Sequence, residues 1–222
     1  MLSAVKFIFV TEILFLWRRS QEWLYPLGFF FIVICLFPLT FTPDSEELKK
    51  IIPGGIWIAA LLASLLSIAN IFLIDAEEGY LEQLILSDIP LPLIMLIKTS
   101  AQWLVTQLPL ILITPLIGIL FQLSFFTILS LCIGLLLATP ILVLMGTLCV
   151  ALTLGLRQQG VMLGLLLFPL IIPVLIFGVS VVQQAEAGLS VIGPIAFLSG
   201  LCVFAITVLP FVIAEMVKAG LE

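Results

Sequence analysis

The chain has 222 residues, of which 63% are apolar and 9% are charged, and its formal net charge is −5. A soluble domain is about 45–50% apolar and about 25% charged, so this composition excludes a water-soluble enzyme and indicates an integral membrane protein. The sequence contains no histidine, which excludes His-based zinc, haem and nucleophile sites, and it has no basic patch of the kind that binds nucleic acid.

The first apolar segment covers residues 3–22 and is interrupted by Glu12 before it ends at Arg18 and Arg19. It lacks the continuous apolar run of a membrane span and the small-residue cleavage site of a signal peptide. We therefore predict an interfacial helix that lies on the inner leaflet of the membrane.

Six later segments have the length of membrane-spanning helices, which need about 20 predominantly apolar residues. No charged residue occurs from Thr99 to Leu156, so this stretch holds two spans, and we place the turn between them at Gln122–Ser124. No ionisable side chain falls in the interior of any predicted span. The predicted spans cover residues about 24–42, 53–74, 99–121, 128–154, 161–183 and 191–214.

The basic residues of the loops predict the orientation of these spans, because cytoplasmic loops carry an excess of Lys and Arg. Six spans place both termini on one side, with six of the eight basic residues: Lys6, Arg18, Arg19, Lys98, Arg157 and Lys218. Only Lys49 and Lys50 fall on the other side. We therefore expect both termini in the cytoplasm. Aromatic residues near the predicted span ends are typical of an interfacial belt: Trp23, Tyr25, Trp57 and Trp103.

The segment 75–88 lies between the second and third spans on the predicted cytoplasmic side and is rich in acidic residues. Leu81, Leu84 and Ile85 follow the i, i+3, i+4 spacing of one helix face, with Glu78 and Glu82 on another. A solvated interfacial loop without a partner would have a similar composition. We favour a coupling helix that docks on a cytoplasmic ATPase, with its apolar face held by the bundle or by lipid.

These elements predict an all-α integral membrane protein with six transmembrane helices, an N-terminal interfacial helix and a cytoplasmic amphipathic coupling helix between spans two and three. A phosphate-binding loop requires a Gly-Lys pair, and none occurs in the sequence. Any ATP used by the protein is therefore expected on a partner subunit.

The order of elements resembles the ABC-2 class of transporter permeases, and the sequence resembles more narrowly the cytochrome c maturation protein B family. The matching segments occur in order along nearly the whole chain: Leu36–Leu39, Ile52–Leu62, Gly79–Leu84, Pro90–Pro92, Lys98, Thr139–Pro140, Ala151–Gly155 and Leu175–Gly178. Ala138 and Glu78 replace a glycine and an aspartate of the family pattern. Both replacements keep the size class or the charge of the side chain.

The resemblance implies one ABC-2-like permease domain over residues 1–222 in the bacterial inner membrane. It also implies an ABC ATPase partner similar to cytochrome c maturation protein A, a haem-handling membrane subunit and a haem chaperone. The complex would couple ATP hydrolysis to haem export or to release of the haem-loaded chaperone. Haem and ATP would be held by partners, so we expect no catalytic, cofactor-binding or metal-binding residue in this chain. The predicted contacts with the ATPase are Asp75, Glu78, Gly79, Leu81, Glu82 and Gln83.

A second copy of the chain is also expected, because ABC ATPases act in pairs and one chain supplies one coupling helix. Small residues allow spans to approach closely, either within one subunit or between two: Gly54, Gly55, Ala59, Ala60, Ala63, Gly146, Ala151 and Gly155.

Two other functions stay open at this point. An ATP-independent channel or carrier would need a polar path, and the spans offer only scattered polar residues such as Asn70, Thr106 and Gln107. A membrane scaffold would assemble partners without a transport cycle. Co-purification with an ATPase separates the permease from both alternatives.

Overall fold

The computed structural model describes residues 2–40, 46–68, 71–72, 80–86, 89–153 and 159–221, and within these ranges the chain forms eight α-helices and no strand. Six of the helices are long and apolar enough to cross a membrane, with candidate spans Ser20–Leu39, Ile51–Ile68, Leu91–Leu120, Phe125–Leu152, Met162–Glu186 and Ile192–Gly220. The predicted all-α membrane fold with six spans is therefore confirmed. The helices are α1 Leu2–Arg18, α2 Ser20–Thr40, α3 Glu46–Ile68, α4 Tyr80–Ile85, α5 Leu91–Leu120, α6 Phe125–Leu152, α7 Gln159–Glu186 and α8 Ile192–Leu221.

Helix α6 forms the centre of the bundle, where it packs against α3, α5, α7 and α8. Its small residues explain why neighbours approach it closely. A Cβ atom added at Gly146 would lie 2.6 Å from Cδ1 of Ile68 on α3. At Gly134, an added Cβ would lie 3.1 Å from Cζ2 of Trp57 on α3. Small residues in spanning helices serve this purpose because lipid gives little hydrophobic drive for helix association.

Most of the small residues of α3 and α6 are used within one subunit. Gly55 lies against Phe37 of α2, and a Cβ added there would approach Cζ of that ring to 2.6 Å. Ala59, Ala60, Ala63 and Ala151 are buried in the single chain. Gly54 differs, because no atom lies within 4 Å of the position that its Cβ would occupy. Gly155 lies outside the described residues.

The turns after α5 and α7 have the same hydrogen-bond pattern. Leu123 N donates to Gly118 O (2.9 Å) and Gln122 N donates to Ile119 O (3.0 Å) after α5. Leu189 N and Gly188 N donate in the same way after α7. This pattern places one residue in the left-handed conformation, and these residues are Gln122 (φ 56°) and Gly188 (φ 66°). The predicted turn at Gln122–Ser124 is confirmed, and Ser124 Oγ caps α6 by accepting from Thr127 N at 3.1 Å.

The N-terminal segment 3–22 forms helix α1 up to Arg18, and α2 follows from Ser20. Aromatic contacts hold the corner between the two helices. The rings of Trp17 and Trp23 stack with centroids 5.3 Å apart, and Trp23 Nε1 lies 3.4 Å from Trp17 O. Helix α1 also packs along α5. The helical prediction for this segment therefore agrees with the structure, whereas its position at the membrane interface stays a prediction.

Trp57 does not belong to an interfacial belt, so that interpretation was wrong for this residue. Its side chain is 1% exposed and packs inside the bundle between Gly134 of α6 and Gly178 of α7. The position of an aromatic residue along a span gives its depth in the membrane but not the direction in which it points. Trp103 is half-buried, and its Nε1 donates to Thr139 Oγ1 at 2.9 Å.

Candidate coupling site

Helix α4 is the described part of the predicted coupling segment 75–88. Leu81 is 1% exposed and Leu84 is 7% exposed, and both belong to the apolar core of the bundle. The helix packs on α5, whereas Leu86 just beyond its end is exposed. The helical spacing of Leu81, Leu84 and Ile85 therefore did indicate an apolar face, and the bundle holds that face in place.

The six predicted ATPase contacts are placed unequally by the structure. Glu82 and Gln83 belong to α4, while Asp75, Glu78 and Gly79 lie outside the described residues. Leu81 is buried against the chain's own core. In a coupling helix it would therefore anchor α4 on the bundle and leave the contact surface to its neighbours.

Helices α3 and α5, which precede and follow α4, are joined by a buried hydrogen-bond network. The Ser64 hydroxyl donates to Gln107 Oε1 at 2.9 Å, and Gln107 Nε2 donates to Ser67 Oγ at 3.3 Å. Gln102 Nε2 donates to the backbone oxygen of Ser67 at 2.8 Å. All four side chains are at most 2% exposed. The network cross-links the two spans on either side of α4.

A buried ion pair joins α1 to α5. Lys98 Nζ donates to Glu12 Oε1 at 2.8 Å, and the two side chains are 4% and 10% exposed. The predicted third span began at residue 99, with Lys98 at its border, but α5 begins at Leu91. Lys98, at the predicted border of the third span, is therefore a buried residue of helix α5. Pro90 is the N-cap of α5 and Pro92 lies in its first turn, where the helix tolerates proline.

The polar residues of α5 form a continuous stripe. Lys98, Gln102 and Thr106 follow each other at four-residue spacing, and Thr106 Oγ1 donates to Gln102 O at 2.8 Å. Residues at this spacing lie on one face of a helix. The stripe faces Glu12 of α1 at its start and the serines of α3 further along. Residues that appear scattered in the sequence are thus brought together, although Asn70 lies outside the described residues.

The stripe does not form an open polar path. Ser64, Ser67, Gln102 and Gln107 bond to one another or to backbone oxygens, so the network is closed on itself. A cavity of about 420 Å³ lies beside it and is walled largely by apolar side chains of α1, α5, α6 and α8. A polar cleft of about 560 Å³ lies between the α5–α6 and α7–α8 turns and includes Gln122, Gln183 and Glu186. The buried polar groups therefore serve to connect helices.

The polar residues of this site connect helices and would transmit force between them. Hydrogen bonds between membrane helices contribute about 0.6 kcal/mol on average and up to about 1.7 kcal/mol. The three bonds between α3 and α5 therefore join the two helices but are weak enough that the helices can still separate. A force applied to α4 would reach both spans through their direct chain connections, and it would reach α1 through the ion pair.

Comparison with known proteins gives a consistent result along the whole chain. The family model described as CcmB protein matches residues 3–220. The chain is 46% identical to Heme exporter protein B of Haemophilus influenzae over 205 residues, which cover 92% of this chain and 93% of that protein. It is 43% identical to Heme exporter protein B of Pseudomonas aeruginosa over 218 residues, covering 98% of each. It is 41% identical to the Escherichia coli K12 protein of that name over 215 residues, covering 97% and 98%.

Proposed function

Because this chain belongs to the CcmB protein family, we propose that it is the membrane subunit of an ABC-type complex that is driven by a separate ATPase. It is a multi-pass membrane component of haem export and cytochrome c maturation. In the proposal, ATP hydrolysis on the partner moves α4 and the spans attached to it. The movement exports haem or releases a haem-loaded chaperone from a haem-handling membrane subunit.

The observation that carries the proposal is the attachment of α4. Its leucines are buried in the bundle, and the spans that flank it are joined through Gln102 and Gln107. A loop without a partner would not require an anchored helix between two cross-linked spans. An anchored helix in a segment as acidic as 75–88 has the properties needed to receive force from a protein with a basic groove.

The partners and location in the proposal follow from the same premise. ATP would bind the ATPase subunit, similar to cytochrome c maturation protein A, and haem would be ligated by the haem-handling subunit and the chaperone. We place the protein in the bacterial inner membrane with both termini in the cytoplasm, since most basic loop residues then face the cytoplasm. The proposed ATPase contacts are positions 75, 78, 79, 82 and 83, with Leu81 as an anchor.

The first experiment measures recovery of the ATPase with variants of this chain. Glu82→Lys reverses a charge on α4 and should reduce the recovered ATPase about tenfold, equivalent to ~1.4 kcal/mol. Glu215→Lys makes the same charge change at a residue of α8 whose side chain is 66% exposed, and it should leave recovery unchanged.

Equal recovery of the ATPase with both variants and with the unmodified chain would reject α4 as the docking element. Gly79→Pro provides an independent change in the same segment and should act in the same direction as Glu82→Lys. Membrane insertion of each variant is measured in parallel, so that loss of the ATPase is not confused with loss of the chain.

A further inference from the structure

Glu12 and Lys98 form a buried ion pair in a chain of which only 9% of the residues are charged. Removing two charges from water costs several kcal/mol for each ion, and their mutual attraction offsets this only when the geometry is good. The 2.8 Å contact and the burial of both side chains satisfy that condition. Apolar residues of similar size would hold the two helices at least as strongly. Stability alone therefore does not explain the pair.

An ion pair differs from apolar contact because it fixes one residue opposite another. Apolar side chains allow one helix to slide or rotate along its neighbour at small cost, whereas separating two buried opposite charges removes their mutual attraction while both stay out of water. Lys98 follows Leu91, the first residue of α5, by about two helical turns. The pair therefore holds α1 near the end of α5 that adjoins α4.

Helix α1 makes a second specific contact at its C-terminal end, five residues after Glu12. The Trp17–Trp23 stack joins it to the start of α2, and α2 packs along α3. Contacts thus run in a closed ring from α3 to α5, from α5 to α1, from α1 to α2 and back to α3. Helix α2 also contacts α5 directly, so α1 provides a second route between them. This route transmits a displacement of α5 only if the contact between α5 and α1 does not slip.

We propose that Glu12 and Lys98 are positioning residues that make α1 part of the coupling unit. In this view, α1 moves together with α5 when the ATPase displaces α4, and it carries that displacement to α2. The inference rests on the proposed function, and it adds an element outside the segment 75–88 to the part of the chain that transmits force.

The test measures movement of α1 in the complete complex with its ATPase in lipid nanodiscs. Spin labels are attached at Lys6→Cys on α1 and Ala219→Cys on α8, after replacement of the chain's four cysteines by alanine. Both labelled positions are exposed. The distance between the labels is measured with and without ATP, and recovery of the ATPase is measured for every variant.

Four variants separate a positioning role from a structural one. Glu12→Lys and Lys98→Glu each place two like charges together and should abolish the ATP-dependent distance change. The double variant with both substitutions restores an ion pair in reverse and should restore the change. Glu12→Leu with Lys98→Met replaces both charges of the pair by apolar side chains, so this chain should assemble and bind the ATPase but lose the change. The same reversals at Glu215 and Lys218, an exposed pair 2.9 Å apart, serve as controls and should have no effect.

The outcomes distinguish the two proposals. If the Leu/Met variant moves α1 as the unmodified chain does, or if the reversed pair assembles without restoring movement, the positioning role is rejected. If ATP causes no movement of α1 in the unmodified complex, it is rejected as well. Failure of the unmodified chain to bind any ATPase would instead reject the proposed function, and the positioning role with it.

Discussion

Trp57 is the largest fully buried side chain in the described part of the molecule, and two glycines make room for it. A Cβ added at Gly178 would approach Cη2 of the indole to 2.5 Å, a separation that atoms do not tolerate. Trp57 Nε1 has no hydrogen-bond partner among the described residues, and such a buried group costs about 1–3 kcal/mol. The large apolar contact of the ring therefore stabilises the site despite this loss.

Gly178→Ala should lower the free energy of unfolding by about 1–3 kcal/mol, because the added methyl group overlaps the indole ring. Gly164→Ala is the matched control on the same helix, since its nearest atom outside the local backbone lies 4.0 Å away. The control should be neutral or stabilising by up to about 1 kcal/mol, as expected for alanine in a helix. Thermal unfolding in detergent measures both.

Combining Gly178→Ala with Trp57→Phe should recover part of the lost stability, because the smaller ring leaves room for the methyl group. If Gly178→Ala and Gly164→Ala have equal effects, Trp57 does not pack against α7 as described.

The long-range partners of single residues are the part of this structure that the sequence predicted least well. Glu12 and Lys98 each appeared as an isolated charge beside an apolar run, and 86 positions separate them. Hydropathy and helical periodicity describe neighbours within a few turns, so they do not report such a pair. One signal was available, because a lone acid and a lone base in otherwise apolar segments are natural partners in a membrane.

At the scale of helices, local patterns were much more informative. Six apolar runs predicted the six long helices, and the helical spacing of Leu81 and Leu84 predicted the buried face of α4. Helix α5 extends beyond the predicted span 99–121, because it begins at Leu91. The helix has 30 residues and is about 45 Å long, which exceeds the roughly 30 Å of the hydrocarbon core. A helix of that length accommodates a charged residue near its end.

The two matching helix ends provide a prediction at this scale. Gln122 adopts a left-handed conformation that costs a residue with a side chain about 1–2 kcal/mol, whereas Gly188 adopts it freely. Gln122→Gly should therefore raise the free energy of unfolding by up to about 1 kcal/mol after the entropy cost of glycine. Gly188→Ala should lower it by about 1 kcal/mol.

Thermal unfolding of these two variants should shift in opposite directions by roughly 2–4 °C per kcal/mol. A shift in the same direction for both would contradict the shared geometry of the turns. Gln122 also borders the polar cleft beside Glu186. Recovery of the ATPase is therefore measured with both variants as well.

At the scale of the whole molecule, the second copy of the chain is still a proposal, and α3 offers a surface for it. Gly54 has open space around it, and Ile51 and Ile58 on the same face are exposed. Residues at positions 51, 54 and 58 follow helical spacing. The face is narrow, since most other residues of α3 are buried in the subunit.

Gly54→Trp should reduce the assembly from two copies of this chain to one, because the indole would occupy the surface through which the copies approach. Gly200→Trp makes the same change on α8 at a glycine that also has no atom near its Cβ position, and it should leave two copies. Native mass measurement of the solubilised complex counts them. Two copies in the Gly54→Trp complex would place the interface elsewhere.

The Glu12–Lys98 pair also imposes an order on the synthesis and folding of the protein. A ribosome adds about 5–20 residues each second, so the 86 positions between the two residues correspond to roughly 4–17 s of synthesis. Throughout that interval Glu12 has been made and Lys98 has not. Helix α1 is therefore translated first, but its ion pair with α5 forms only after α2, α3 and the start of α5 have been synthesised.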